Sequence, residues 1–166
     1  MADDKFYMRK TLELAEVALE KGELPIAALI VLNDSIISSA HTSEKTLGRF
    51  LVHAESLALE KADQLKLTLA QRRKCKLYTT LEPCMMCMGA SMSFFIGEVF
   101  YALESKGDGA VEMAANSGRN KEDLPGYQLP KIQGNLLRED SRVLFLKFLK
   151  THSAGPVRKW VQTLVL

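Results

Sequence analysis

The spacing of apolar residues divides the chain into alternating helices and strands. Apolar side chains recur about every 3.6 residues over 3–21, and the pattern ends at Gly22, which is typical of a residue just past a helix. A β-branched run at 26–32 has the length of a strand, and a turn signal at 33–34 leads into a second strand at 35–40. These features predict an N-terminal helix followed by a β-hairpin.

The alternation continues to the C-terminus, with loops predicted at 41–50, 63–74 and 104–127. The further predicted elements are a helix beginning near Val52, a strand at 77–81, a helix whose first residue is Pro83 and which reaches about Phe95, a strand at 99–103, one helical turn at 110–116, a last strand within 129–137, and helices at 139–151 and 157–166. Strands that alternate with helices predict a layered α/β fold, with helices covering both faces of one sheet.

Composition narrows the class of protein. The 166 residues suit a single domain, 1–166, with residues 152–166 as a C-terminal extension. The net charge of +2 gives no strong global attraction to nucleic acid. Three cysteines do not make a disulfide framework and suit a reducing compartment, so we expect a cytoplasmic protein. No signal peptide is visible, and the longest apolar run, 26–32, is too short to span a membrane.

Two short clusters carry the candidate chemistry. Cys84 and Cys87 lie three residues apart at a predicted helix start, where the positive end of the helix favours thiolates. His53 would supply a third zinc ligand, which leaves the fourth position of the metal open for water, as in catalytic zinc sites. Glu55, two residues from His53, is placed to transfer protons beside the metal. One reaction that needs these parts is the hydrolytic removal of an exocyclic amine from a nucleobase.

The order His-x-Glu followed by Pro-Cys-x-x-Cys is the signature of zinc-dependent nucleobase deaminases. Together with the stretches 22–26 and 77–90, it resembles the cytidine deaminase superfamily, and its tRNA adenosine deaminase branch in particular. The resemblance covers roughly 5–112 and implies a three-layer α/β/α fold around a mixed five-stranded sheet. It also implies one zinc ion per chain, bound by His53, Cys84 and Cys87, with Glu55 as the catalytic residue, and it implies a homodimer.

The resemblance leaves the substrate open. His41 stands where the tRNA branch usually has an asparagine that contacts the nucleoside, and 49–52 departs from the usual lead into the His-x-Glu. We therefore assign His41 to substrate binding and expect a free nucleobase or nucleoside as the substrate. A tRNA adenosine-to-inosine deaminase is the alternative. A non-catalytic zinc-containing RNA-binding module and a redox dithiol protein are remoter, because neither explains both His53 and Glu55.

Overall fold

The computed structural model describes residues 3–116, 127–152 and 154–166. Its helices are α1 Asp4–Glu20, α2 Glu44–Leu47, α3 Ala54–Asp63, α4 Leu69–Arg72, α5 Met85–Phe94, α6 Val111–Ala115, α7 Arg138–Thr151 and α8 Pro156–Val165. Its strands are β1 Ala27–Leu32, β2 Ser35–His41, β3 Lys76–Leu81, β4 Glu98–Leu103 and β5 Lys131–Gln133.

The five strands form one mixed sheet in the order β2-β1-β3-β4-β5. β1 pairs antiparallel with β2 and β3, while β3–β4 and β4–β5 are parallel pairs. Asn33 and Asp34 both have positive φ, 49° and 61°, the geometry that a two-residue hairpin turn requires because its twist then matches that of the strands. The predicted hairpin and the mixed five-stranded sheet are both confirmed.

Helices cover both faces of the sheet. One face packs against α3 and α5 through a cluster that includes Ala28, Ile30, Ala54, Ala58, Leu77, Phe94 and Val99. The other face packs against α1 and α7 through a cluster that includes Met8, Leu12, Leu29, Val31, Tyr78, Phe100 and Leu144. Alternate residues of β1 belong to opposite clusters, as the two-residue period of a strand requires. The three-layer α/β/α architecture is therefore confirmed.

The C-terminal segment packs against the end of the sheet. Val161, Leu164 and Val165 of α8 are buried with Phe145 and Phe148 of α7, and the same cluster contains Leu81 and Leu103, the last residues of β3 and β4. Because parallel strands end at the same edge of a sheet, this packing holds α8 at the carboxyl edge of the β3–β4 pair. The division into one domain with an extension at 152–166 stays a prediction.

Three segments differ from the prediction. Short helices α2 and α4 lie within two predicted loops, because local caps such as the capping box of Thr68 and Gln71 can form a single turn without an apolar period. α5 begins at Met85 with Cys84 as its N-cap, so the prediction that Pro83 is the first helical residue is wrong.

The helical turn predicted at 110–116 is confirmed as α6, whereas 117–126 of the predicted loop lies outside the described residues. Within the described part of the chain, no helix is long and apolar enough to cross a membrane.

Gly97 packs so closely against the backbone of Arg73 that a side chain at this position would clash. A Cβ at this position would lie 2.0 Å from the carbonyl oxygen of Arg73, which belongs to the backbone and cannot swing away. We predict that Gly97→Ala lowers the free energy of unfolding by about 1–3 kcal/mol, the range for overpacking. Denaturant titration of the purified variant measures the change.

Gly89, inside α5, is the matched control because an added Cβ meets nothing within 4 Å. Gly89→Ala should raise the free energy of unfolding by about 0.5–1 kcal/mol, since glycine costs more conformational entropy than alanine in a helix. Equal effects of the two substitutions would contradict the assigned packing at Gly97.

Candidate metal and active site

The three predicted ligands come from the starts of two neighbouring helices. His53 is the N-cap of α3, Cys84 is the N-cap of α5, and Cys87 lies in the first turn of α5. Their candidate ligand atoms all lie within 4.8 Å of one another. Among the described residues this is the one group of three His, Cys, Asp or Glu side chains that could hold a metal ion. The packing of α3 beside α5 thus brings together residues that are 31 and 34 positions apart.

The separations within the group fit zinc. His53 Nδ1 lies 3.6 Å from Cys84 Sγ and 3.5 Å from Cys87 Sγ. In a tetrahedron with the usual Zn–N and Zn–S bond lengths, a nitrogen and a sulfur ligand are about 3.6 Å apart. One imidazole and two sulfurs also match the donor set of catalytic zinc sites that keep a fourth position open. The residues present therefore fit a zinc ion.

The electrostatics of the group favour deprotonated sulfur. Hydrogen bonding from Cys87 and then from His53 lowers the pKa of Cys84 to about 4, although burial opposes this shift. The hydrogen bond with Cys84 in turn raises the pKa of His53 to about 9. In the zinc-free protein, the hydrogen bond that Cys87 makes with Cys84 raises the pKa of Cys87, and burial raises it further. Cys84 is therefore the thiolate at neutral pH before the metal binds.

Glu55 lies directly beside the metal group. Its side chain is only 3% exposed, and burial raises its pKa. The Thr79 hydroxyl donates a hydrogen bond to Glu55 Oε1 (3.1 Å), and Cys87 Sγ lies 3.4 Å from Glu55 Oε2. One oxygen is thus held by the sheet, while the other faces the sulfur. A carboxyl group with a raised pKa at such a place suits proton transfer.

His53, Cys84 and Glu55 line a cavity of about 370 Å³, a volume typical of ligand sites, while Cys87 lies behind them and is buried. Its walls come from four parts of the chain: Leu24 and Ile26 before β1, Thr42 and Glu44 after β2, Leu81, Glu82 and Asp108 near the ends of β3 and β4, and Pro156, Val157 and Trp160 of α8. The loop after β4, through Asp108, and the C-terminal segment, through α8, thus form part of the rim of the site.

His41 does not join this group. Its ring lies 3.0 Å from Lys21 Nζ and 2.7 Å from the carbonyl oxygen of Thr42. The residue at this strand end that lines the cavity is Thr42, which is 2% exposed. Side chains alternate between faces of a strand, and Ser38 and Ala40 are buried against α3, so Thr42 shares their side and His41 does not. The substrate-binding role of His41 stays a prediction, and the two-residue alternation could have pointed to Thr42.

Glu44 is a site residue that the sequence did not indicate. Its carboxylate oxygen Oε1 lies 3.5 Å from His53 Nε2, on the side of the ring opposite the sulfurs. A carboxylate near the second nitrogen of a metal-binding histidine commonly fixes the orientation and tautomer of the ring. Glu44 lies in the first turn of α2, an element that the sequence pattern did not predict, so its proximity to His53 could be found only from the structure.

Comparison with known proteins identifies the family. Residues 1–103 match the family described as the cytidine and deoxycytidylate deaminase zinc-binding region. The chain belongs to this family. The matched segment contains His53, Glu55, Cys84 and Cys87, and the family's zinc-binding character agrees with the geometry of the metal group. The suspected resemblance and the zinc cofactor are therefore confirmed.

The chain is similar to proteins of two kinds, tRNA adenosine deaminases and a protein that binds a free purine analogue. The chain is 34% identical over 145 residues to a tRNA-specific adenosine deaminase of Rickettsia felis. This match covers 86% of the chain and 98% of the relative. A structure from work on A-to-I editing by tRNA:A34 deaminases is 30% identical, with a TM-score of 0.68 over 84% of this chain and 98% of that one. An NE0047 variant in complex with 8-azaguanine is 25% identical, with a TM-score of 0.72 over 91% of this chain and 86% of that one.

The pKa differences among the cysteines predict selective alkylation. In zinc-free protein, Cys84 should react with iodoacetamide at a nearly constant rate from about pH 6 to pH 8, because a thiol with a pKa of about 4 is already ionised there. Cys75 is buried, which raises its pKa to about 11, and it should stay unmodified. Peptide mapping by mass spectrometry measures both. Added zinc should protect Cys84, and undiminished labelling at saturating zinc would exclude Cys84 as a ligand.

Proposed function

We propose that this protein is a zinc-dependent hydrolytic deaminase in which His53, Cys84 and Cys87 bind one zinc ion and Glu55 is the catalytic residue. The observation that carries the proposal is the buried Glu55 carboxyl group, which lines the same cavity as His53 and Cys84 and lies 3.4 Å from the Sγ of Cys87. The zinc ion, when bound, acidifies a water molecule and makes it a nucleophile at neutral pH.

Proton transfer falls to Glu55. Thr79 holds Oε1, so Oε2, which lies 3.4 Å from Cys87 Sγ, is the oxygen placed to take the proton from the attacking water and to pass it to a ring nitrogen of the base. After the C–O bond has formed, the same carboxyl group takes the proton of the added hydroxyl and gives it to the exocyclic amine. The C–N bond then breaks, so that ammonia leaves and the ring carbon becomes a carbonyl. The raised pKa of Glu55 supports this role, because the group must hold a proton as well as release it.

The substrate that the relatives favour is an adenosine in a tRNA, which would become inosine. The R. felis protein is named a tRNA-specific adenosine deaminase and is matched over nearly its whole length, and the tRNA:A34 structure is matched equally completely. The comparisons thus support the tRNA alternative better than the free base or nucleoside that we expected from His41. That expectation rested on His41, whose ring lies towards Lys21, and on the altered lead at 49–52.

A free purine base is the second candidate, and one structural observation favours it. Pro156, Val157 and Trp160 line the cavity, so α8 narrows the space through which a large RNA must present its base. The NE0047 variant, which is similar in fold, holds the free purine analogue 8-azaguanine. A non-catalytic zinc module is disfavoured, since within the described chain three protein ligands converge and Glu55 stands beside them. The homodimer and the cytoplasmic location remain predictions.

Glu55→Gln tests the catalytic role. The amide preserves the shape of the side chain but cannot shuttle a proton, so ammonia release should fall by about 10²- to 10⁴-fold while zinc content stays at one per chain. Coupled ammonia detection and elemental analysis measure the two quantities. Deamination at the wild-type rate would exclude Glu55 as the proton shuttle.

Two cysteine variants provide the matched controls. Cys87→Ala should lose both zinc and activity, whereas Cys75→Ala should keep both, because Cys75 lies in the core cluster beneath α3 and α5. A Cys87→Ala protein that retained stoichiometric zinc would show that the metal is held elsewhere.

A substrate panel decides between the two candidates. We expect the wild-type protein to form inosine in an anticodon stem-loop RNA with adenosine at the wobble position, measured by nucleoside analysis of the digested RNA. Guanine, guanosine, cytosine, cytidine and adenosine are the small-molecule arm, measured by ammonia release. Turnover of a free base with no inosine in the RNA would reject the tRNA assignment and leave the deaminase chemistry intact.

A further inference from the structure

A second groove lies beside the catalytic cavity. This flank groove has a volume of about 450 Å³ and shares Leu24, Glu44 and Val157 with the cavity lining. Its other walls are α2 with the following turn and the end of α7, where the rings of Phe148 and His152 stack at 3.8 Å. The flank groove is therefore the neighbouring space for a part of a ligand that extends beyond a base held in the cavity.

The outer wall of the flank groove carries positive charge. Lys45 and Arg49 are both exposed, and among the described residues the Arg49 side chain has no hydrogen-bond or ion-pair partner. The acidic residues of the groove are engaged elsewhere. Glu23 is 3% exposed and accepts hydrogen bonds from the backbone N–H groups of Lys45 (3.1 Å) and Thr46 (2.6 Å). Glu44 is turned to His53. The charged side chains most open to a ligand on this wall are thus Lys45 and Arg49, while the buried Glu23 and the half-buried Glu44 offset their charge within the groove.

Phe50 adds an aromatic surface to the same wall. It lines the groove, yet 86% of its side chain is exposed. A phenyl ring left in water forgoes the stabilisation of burial, which a partner that covers the ring would recover. Single-stranded nucleic acids are bound by this pair of features, cations that contact the backbone phosphates and an aromatic ring on which a base stacks.

We propose that the flank groove binds the nucleotide next to the target base in an RNA strand, with its base on Phe50 and its phosphate at Arg49 and Lys45. The inference rests on the proposed function, because only a polynucleotide substrate has a neighbouring nucleotide to bind. It deepens that function by assigning a binding site for the flanking residue. A free purine base would fill the catalytic cavity and leave this groove empty.

Equilibrium binding of the anticodon stem-loop RNA tests the proposal. The measurement uses full-length, zinc-loaded protein carrying Glu55→Gln, so that the RNA is not converted, with fluorescence anisotropy as the readout. Adding Phe50→Ala should raise Kd by about 5-fold or more, the low end for loss of one base–aromatic stack. Adding Arg49→Ala should also raise Kd and should reduce the slope of log K against log salt by about 0.7, as expected when one phosphate contact to a single strand is lost.

Two matched controls separate the groove from general effects. Arg73→Ala removes the same charge from an exposed site just before β3, at the opposite end of that strand from Cys84. Leu51→Ala truncates a neighbouring side chain that is 70% exposed. Both should leave Kd within about twofold of the parent value, since neither contacts a phosphate or base in the groove. Thermal unfolding and zinc content confirm that each variant is folded.

The outcomes distinguish this inference from the proposed function. Groove-dependent RNA binding without inosine formation would reject the tRNA deaminase function and support the flank groove. Inosine formation with unchanged Kd in Phe50→Ala and Arg49→Ala, or with equal losses in the two controls, would overturn the flank groove alone. No RNA binding by the Glu55→Gln protein, together with no inosine formation by the wild-type protein, would overturn both.

Discussion

The packing of α3 against α5 on one face of the sheet is the interaction on which the site depends. Apolar side chains of both helices share a single cluster with β1, β3 and β4, and this packing brings the two helix starts to the same edge. His53 and Cys84 are the N-caps there, so the imidazole of His53 lies within 3.6 Å of the sulfurs of Cys84 and Cys87. The low pKa of Cys84, the fit to zinc and the location of Glu55 all follow from that one arrangement of helices.

Much of this arrangement could be predicted from sequence because it has strong periodic and chemical signals. The long helices and the strands follow apolar periods, and His53, Glu55, Cys84 and Cys87 fall at recognisable spacings. The sequence pattern predicts less where structure is local: α4 is a single turn with a capping box, α2 is a single turn bound by the Glu23 carboxylate, and β5 has only three residues. The assignment of His41 rests on its place in the resemblance, whereas the two-residue alternation of β2 indicates Thr42 as the residue that lines the cavity. Glu44 and Trp160 carry no sequence signal, since tertiary packing alone brings them to the cavity.

The residues that line the cavity fall into two groups with different consequences. His53, Glu55 and Cys84 come from the sheet-bound helices of the core and define the chemistry. Thr42, Glu44, Asp108 and the α8 residues come from turns and from the C-terminal segment, and they define the space around the reacting base. Glu82 supports this second group, because its carboxylate accepts hydrogen bonds from the backbone of Ser105 (3.0 Å) and Val111 (3.1 Å) and so fixes the loop that carries Asp108. Differences in substrate among members of the family are therefore expected in these supported loops.

Glu23 connects the metal ligands to the turn residues that surround them, because it binds the helix that carries Glu44. Burial raises its pKa, but hydrogen bonds from Thr46 and Lys45 outweigh burial and lower it, so the side chain is an anion at neutral pH. The carboxylate binds the first turn of α2 and thereby holds Glu44 beside His53 and Lys45 at the flank groove. A lowered pKa means that this anchor is fully present above the ordinary titration range of glutamate and is lost only as the pH falls through the lowered value. The stretch 22–26, which carries part of the resemblance to the deaminases, therefore positions both Glu44 beside His53 and the α2 wall of the flank groove.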